Sequence, residues 1–478
     1  MEFSSFPKNL VYKISQLQGI SKTSVKLTPD RTTVSSGETF RVKMPSNTLI
    51  DLRTFTLHAK GTATQDSSSD KMHFPRNGLS SCIKTLGLYV NGTLIERIDN
   101  YNILYNKLYD LDAGSDQDAK RGVLENADPS IGYSFAPTGG ATDYSGGDPV
   151  IRVNNNATAD TNLKMMVNNW LGFISSASTP VVDTNDLNSV EVEITLSDAN
   201  VLWSSADGTA STAPTTTGAN YSLNDIHFTI SKMIFNDSLY YNLKASKLLS
   251  SGLNIGYSTY ISSKLSTTAK GTSMNMMTTV NSTSLDQLIC CFNPATPTIT
   301  TLRLQGANNV NAGKTFKEAL ATQPVATSSG DLFHNSAGGL FNQSYYFQSD
   351  ATNLVSSSVE INNTPLMPQP LDDSEIYNES LIAMGNNNID MSAGVHQGCK
   401  SLADFLKYYF AMVVSLENIS GEKEWVKSGL DGKASALNIN WKASFNVGSS
   451  PASVSPYIFA KCSRVLTIME GHSVVVSV

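Results

Sequence analysis

The sequence predicts an all-β chain of antiparallel sandwiches or barrels, and three features carry that reading. Apolar and polar residues alternate strictly along Val190–Leu196 and Leu437–Phe445, the period of a strand with one buried face. Asn91-Gly92 separates the apolar positions Leu86, Leu88 and Val90 from Leu94 and Ile95. An Asn-Gly pair between such runs is the strongest short-range hairpin signal. Helical patterns are few and short, and Gly, Asn and Ser turns recur between the alternating runs, as sandwiches and barrels require.

In chain order, further strands are expected at Thr39–Met44, Leu49–Lys60, Ile226–Phe235, Leu253–Ile261, Ser273–Cys291, Val355–Ile361, Phe410–Leu416, Tyr457–Ile468 and Ser473–Val478. Tyr101, Leu104, Tyr105, Leu108 and Leu111 share one helical face. Leu239–Leu249 reads as a helix capped by Asn236-Asp237-Ser238. Ser374–Met384 reads as another, ending at Gly385. Ser401-x-x-Asp404 resembles a capping box ahead of Phe405–Tyr409. Ala113–Thr161, Ser204–Asn220 and Asn293–Phe341 lack periodicity and read as loops.

The order of elements divides the chain in two. An arm, residues 1–27, precedes a first half at 28–235 and a second at 236–478. Each half opens with strands, inserts a helix and a long loop, and closes with strands. No residue-level repeat accompanies this order.

With 478 residues the chain is long enough for several domains and a sizeable core. Only 16% of residues are charged, too few for a disordered chain or a coiled coil. Net charge is −7, against a general nucleic-acid binder. Residues 1–50 are locally basic, with seven Lys and Arg against three acidic residues, so the arm suits an anionic surface or plain solvent. MEFSSFPKNLVYK has no apolar core of a secretory signal, and no run of 18 apolar residues occurs.

No catalytic, cofactor-binding or metal-binding residue is assigned. Cys82, Cys290, Cys291, Cys399 and Cys462 show no metal spacing and read as small buried hydrophobes. Gly313-Lys314-Thr315 lacks the earlier glycine of a phosphate-binding loop, because position 308 is Asn. The histidines His58, His73, His227, His334, His396 and His472 form no ligand motif, and His58 and His227 read as ordinary strand residues. Asp372-Asp373 and Glu422/Glu424 suit solvated turns or a helix N-terminus. The Asn-x-Ser/Thr sites at Asn91, Asn156, Asn281 and Asn418 match chance in so Asn-rich a chain. Trp170, Trp203, Trp425 and Trp441 are too dispersed for a sugar platform.

One series is more specific. Phe74-Pro-Arg-Asn77 precedes Ile83-Lys-Thr-Leu-Gly-Leu-Tyr-Val-Asn-Gly92, and Tyr101-Asn-Ile-Leu-Tyr-Asn-Lys-Leu-Tyr109 follows. Met44–Leu52 stands before it; Trp170-Leu-Gly-Phe173, Thr179-Pro180 and Ser189–Leu196 come after it; Phe235–Leu249, Tyr457-Ile-Phe459 and Arg464–Ile468 complete the order. The series resembles viral double jelly-roll major capsid proteins of the polinton-like virus and virophage type. The resemblance implies two tandem eight-stranded antiparallel jelly rolls with a few short helices and long loops, and no enzyme site or cofactor.

It also implies a virion protein with itself as first partner. A homotrimer would form a capsomer, and capsomers would tile an icosahedral shell with minor and penton capsid proteins. The arm would face an inner membrane or the genome, and the loops Ala113–Thr161 and Asn293–Phe341 would build towers or clasp neighbours. Two other classes fit the composition: a carbohydrate-binding lectin or adhesin, and a β-rich hydrolase with carboxylates joined by folding.

Overall fold

Strict alternation becomes a strand only when a second sheet covers its apolar face, and each half of this chain supplies two sheets. The structure, a computed structural model, describes residues 20–64, 70–75, 77–112, 163–206, 217–235, 246, 252–297, 299–303, 345–384, 402–417, 429–433, 435–448, 452–469 and 473–477. The principal strands of the first half are β1 (Ile20–Leu27), β2 (Thr39–Lys43), β3 (Leu49–Thr64), β4 (Ile83–Val90), β5 (Thr93–Asp99), β6 (Leu163–Val167), β7 (Val190–Leu196) and β8 (Asn220–Phe235). Those of the second are β9 (Leu253–Lys264), β10 (Met274–Val280), β11 (Leu285–Pro294), β12 (Leu354–Ile361), β13 (Thr364–Pro365), β14 (Met412–Ser415), β15 (Leu437–Phe445) and β16 (Ser453–Met469).

In the first half the sheets run β1-β8-β3-β6 and β2-β7-β4-β5; in the second they run β9-β16-β11-β14 and β10-β15-β12-β13. The two orders are the same once eight is added to each label. Every pairing within these four sheets is antiparallel. This is the jelly-roll order, found twice in one chain.

Each roll holds its own aromatic core. Phe55 stacks on Phe228 with centroids 5.0 Å apart, and Phe40 closes on the same ring. In the second roll Phe292 stacks on Trp441 at 4.3 Å and meets Phe445 edge-on. The buried Trp441 Nε1–H donates to Ser357 Oγ at 2.7 Å, which satisfies the one polar atom that the ring carries into the core.

The expected strands are present with shifted limits. Ser273–Cys291 is two strands, split at Asn281–Ser284, where the Ser284 N–H donates to Ser282 Oγ and the Gly432 N–H to the Ser282 carbonyl. β1 was not expected: Ile20–Leu27 pairs with Phe235–Phe228 along its whole length, so the end of the expected arm is a sheet strand. Lys22, Ser24 and Lys26 on one face and Thr23 on the other are all exposed, which hides the alternation. Tyr101–Asp112 is a helix, here α2, preceded by the short α1 (Gly78–Cys82) and followed by α3 (Phe173–Ser176) and α4 (Asp373–Ala383). α4 starts with an Asp372/Glu375 capping box rather than at Ser374. Phe405–Tyr409 winds as a π-helical turn. The expected helix Leu239–Leu249 lies outside the described residues except position 246. Residues 1–19, all of Ala113–Thr161 and most of Asn293–Phe341 also lie outside them.

The two rolls turn their fourth strand into their fifth in the same way. Asn91 and Gly92 have φ of 49° and 75°; Asn362 and Asn363 have φ of 51° and 64°. Both central residues are left-handed, as a hairpin matched to strand twist demands. Gly92→Ala should cost about 1–2 kcal/mol, and Asn363→Gly should stabilise by up to about 1 kcal/mol, both read from urea denaturation midpoints.

Candidate functional site

The residues of the Pro-Arg-Asn and Tyr-Asn motifs come together at one end of the rolls. Arg76 lies outside the described residues. Asn77 adopts φ 62° at the entry to α1, a conformation that Asn tolerates. Its Nδ2 donates to Asn106 Oδ1 at 2.9 Å. Asn106 Nδ2 lies 2.9 Å from Ser81 Oγ and 2.8 Å from the Asn102 carbonyl. Asn102 Oδ1 accepts the Ile103 N–H, and its Nδ2 lies 3.4 Å from Ser197 Oγ. All these side chains are fully buried, where unpaired amides would be costly.

The helix carrying them is buried on several faces because it lies between the rolls. Tyr101, Tyr105 and Tyr109 stack at i, i+4 spacing along one face. Asn102 and Asn106 line another. Lys107, also fully buried, reaches across the sequence: its Nζ donates to the Phe347 carbonyl at 2.9 Å and to Ser349 Oγ. Ser349 Oγ donates onward to the Phe410 carbonyl at 2.8 Å. Burial pulls the Lys107 ammonium below its usual range, opposed by Cys291 and Asp110. One first-roll lysine thus ties together two loop segments of the second roll.

A second tie runs along the edge of β9. Strand β5 packs against it without ladder bonds, and Tyr257 OH donates to the Ile95 carbonyl at 3.1 Å. Asn100 Nδ2 lies 3.0 Å from Ser262 Oγ. The segment after α3 completes the edge. Ser178 N–H donates to the Gly256 carbonyl at 2.7 Å, while Ser178 Oγ and Ser176 Oγ accept the Gly256 and Ser258 N–H groups. Serine hydroxyls here stand in for a missing strand.

Glu96 anchors that segment. Its Oε2 accepts the Phe173 N–H at 2.9 Å, and its Oε1 is buried without a hydrogen-bond partner. Gly172 has φ 80°, and a Cβ there would collide with the Glu96 carboxyl. Burial raises the Glu96 carboxyl to about 7, opposed by Thr259, the Phe173 N–H and Arg464. A third tie is a small sheet in which Thr300–Arg303 pairs parallel to Trp203–Ala206, which pairs with Asp70–His73.

The other residues singled out in the sequence do not join this seam. Cys82, Cys290, Cys291 and Cys462 are buried, and burial raises each thiol. Asp372 caps α4, which lowers its carboxyl through the Glu375 N–H. Trp170 Nε1–H donates to the Phe55 carbonyl inside the first roll. Gly313-Lys314-Thr315, Cys399, Trp425, Glu422, Glu424, His334, His396 and His472 lie outside the described residues. Among the described residues, no group of three His, Cys, Asp or Glu is placed to hold a metal, and no helix is long and apolar enough to cross a membrane. Glu96 and Lys107 were not singled out; their signal was a charge inside otherwise apolar strand and aromatic helix patterns.

Two rolls of this strand order, locked side by side, define the double jelly-roll fold. No protein-family model and no curated protein matches the sequence. Among solved structures, the chain is similar to a PBCV-1 virus capsid chain, with 13% identity, 96% of this chain and 97% of that chain covered, and TM-score 0.54. It is similar to the Faustovirus major capsid protein, with 12% identity, coverage of 94% and 90%, and TM-score 0.55. A chain of the Sputnik virophage gives 13%, 96%, 88% and 0.55 in the same terms. The likeness is one of fold over nearly the whole length.

Two outcomes test the seam. A carboxyl held high in the fold favours the protonated state, so its stabilisation is full below its unfolded value and is lost as pH rises through about 7. Glu96→Gln should remove up to roughly 3 kcal/mol of that decline between about pH 5 and 8, measured by urea denaturation across pH. Lys107→Met strands the Phe347 carbonyl and Ser349 hydroxyl, and should cost about 1–3 kcal/mol in the same assay.

Proposed function

We propose that this chain is a viral major capsid protein of the polinton-like virus and virophage type. It is a structural protein of the virion rather than an enzyme. Its two rolls occupy residues 28–235 and 236–478, with the opening strand of the first reaching back to Ile20.

One observation carries the reading: two rolls of the same topology are joined edge to edge, β5 of the first against β9 of the second. That contact uses the fifth strand of one roll and the first strand of the next. Among the described residues, the corresponding edges, β13 and β1, have no further strand beside them in their sheets. A head-to-tail contact of this kind repeats until it closes into a ring. Three chains would bring six rolls together, a roughly hexagonal outline suited to tiling a shell. The arm, residues 1–27 with its end paired in the sheet as β1, is directed to a membrane or genome, and the loops Ala113–Thr161 and Asn293–Phe341 supply towers or clasps. Minor and penton proteins fill the remaining positions.

Light scattering on a sizing column should give close to three times the 51.5 kDa chain mass, persisting on dilution. Deleting residues 1–19 should leave that mass unchanged and lower the yield of particles from expressing cells. A monomer that also yields no particles would overturn the proposal.

A further inference from the structure

The outer face of the β1-β8-β3-β6 sheet carries a charge pattern that sheet pairing disfavours. Lys60 on β3 stands directly opposite Lys164 on β6, and two residues along on the same face, His58 on β3 stands opposite His227 on β8. The two imidazoles stack face to face, centroids 4.9 Å apart and nearly parallel. Like charges opposite each other in a ladder are destabilising, and the Lys60/Lys164 pair is such a case, with the imidazole pair beside it.

The arrangement is built by a specific backbone feature. The β8–β3 register shifts between Asn224 and His227, and within that bulge Asp225 has φ 52°. Left-handed backbone at a non-glycine residue is strained, and bulges commonly re-aim side chains. The bulge brings His227 over His58 and opens a cleft of about 380 Å³ lined by His58, Lys60, Lys164, Met165, Asp225 and His227. That volume falls in the range of small-ligand sites.

We infer that this cleft binds a phosphate-bearing anion and that protonation of the His58/His227 pair strengthens the binding. The groups facing the pair are Lys26 from β1, Lys60 from β3, Lys164 from β6 and Asp225 from β8. Asp225 is the sole carboxylate among them; it pairs with Lys60 at 3.1 Å and lies 3.9 Å from His227. Lys164 and Lys26 remain to meet a ligand. His227 Nδ1 faces the Asp225 carbonyl at 2.9 Å and His58 Nε2 faces Thr229 Oγ1 at 3.1 Å. The Asp225 carbonyl can only accept, so protonation turns Nε2 of His227 into a donor; protonation of both rings adds up to two charges to the cleft. Burial, His227 and Lys26 all lower the His58 value, and a bound anion opposes that lowering. Parallel rings with their facing nitrogens already engaged suit an anion better than a shared metal ion. The site stands apart from the roll–roll seam and does not depend on the capsid reading.

Calorimetric titration of the full-length protein with pyrophosphate, at constant ionic strength, tests the inference. Affinity at about pH 5.5 should exceed that at about pH 8 by roughly tenfold or more. The double variant His58→Gln/His227→Gln should lose that pH dependence. Lys164→Glu, at an exposed position, should weaken binding at both pH values without lowering the thermal midpoint, because it places a carboxylate opposite Lys60. Vesicles containing phosphatidic acid are the second probe: co-sedimentation lost in Lys164→Glu marks a lipid headgroup as able to enter, and binding of pyrophosphate alone marks a free phosphate. No pyrophosphate binding at about pH 5.5, or binding indifferent to these substitutions, overturns the inference.

Discussion

A sheet edge cannot be buried dry. The first strand of the second roll, β9, is pressed against the first roll, yet its outward N–H and carbonyl groups have no neighbouring strand. Everything at the seam follows from supplying them with partners. Ser176 and Ser178 do so with hydroxyls and one backbone bond, which fixes the path of the chain through α3. That path requires the left-handed Gly172 and the Glu96 carboxylate that holds the Phe173 N–H. A buried acid is accepted because the alternative is unsatisfied backbone in a low-dielectric contact.

The same demand shapes the loop end. α2 is enclosed by both rolls, so its polar face must be satisfied inside the protein. Asn102 and Asn106 bond within the first roll, and Lys107 bonds to carbonyl and hydroxyl oxygens of the second. A network in which nearly every member is paired resists relative movement of the rolls, since displacement would strand several polar atoms at once.

Identical topology does not give identical surfaces. β11 is buried along both faces, whereas its counterpart β3 alternates between buried and half-exposed positions. α4 makes the difference. Ser380 on α4 accepts the Val413 N–H and donates to the Ala411 carbonyl, and Gln287 on β11 donates to the Ala383 carbonyl at the end of α4. The second roll therefore has a helix over the outside of this sheet. Among the described residues no helix covers the matching face of the first roll, and there the His58, Lys60 and Lys164 cluster lies.

Strand identity and the hairpins were legible because they are local. Val190–Leu196 and Leu437–Phe445 announce themselves by period, and Asn91-Gly92 by the backbone angles only such residues adopt readily. The order of the motifs pointed to the double roll. β1 was illegible because an exposed edge strand needs no apolar alternation; its partners lie more than two hundred residues away in β8. The burial of Glu96 and Lys107 was equally illegible, since a lone charge in an amphipathic pattern reads as solvent-facing until another roll covers it. The bulge at Asp225, which sets His227 on His58, depends on register with β3. The sequence by itself determined which segments are strands and how they turn, through periodicity and backbone preference. Tertiary structure alone decided which charges are buried and which edges are joined, because burial is a property of surfaces that meet only after both rolls have folded.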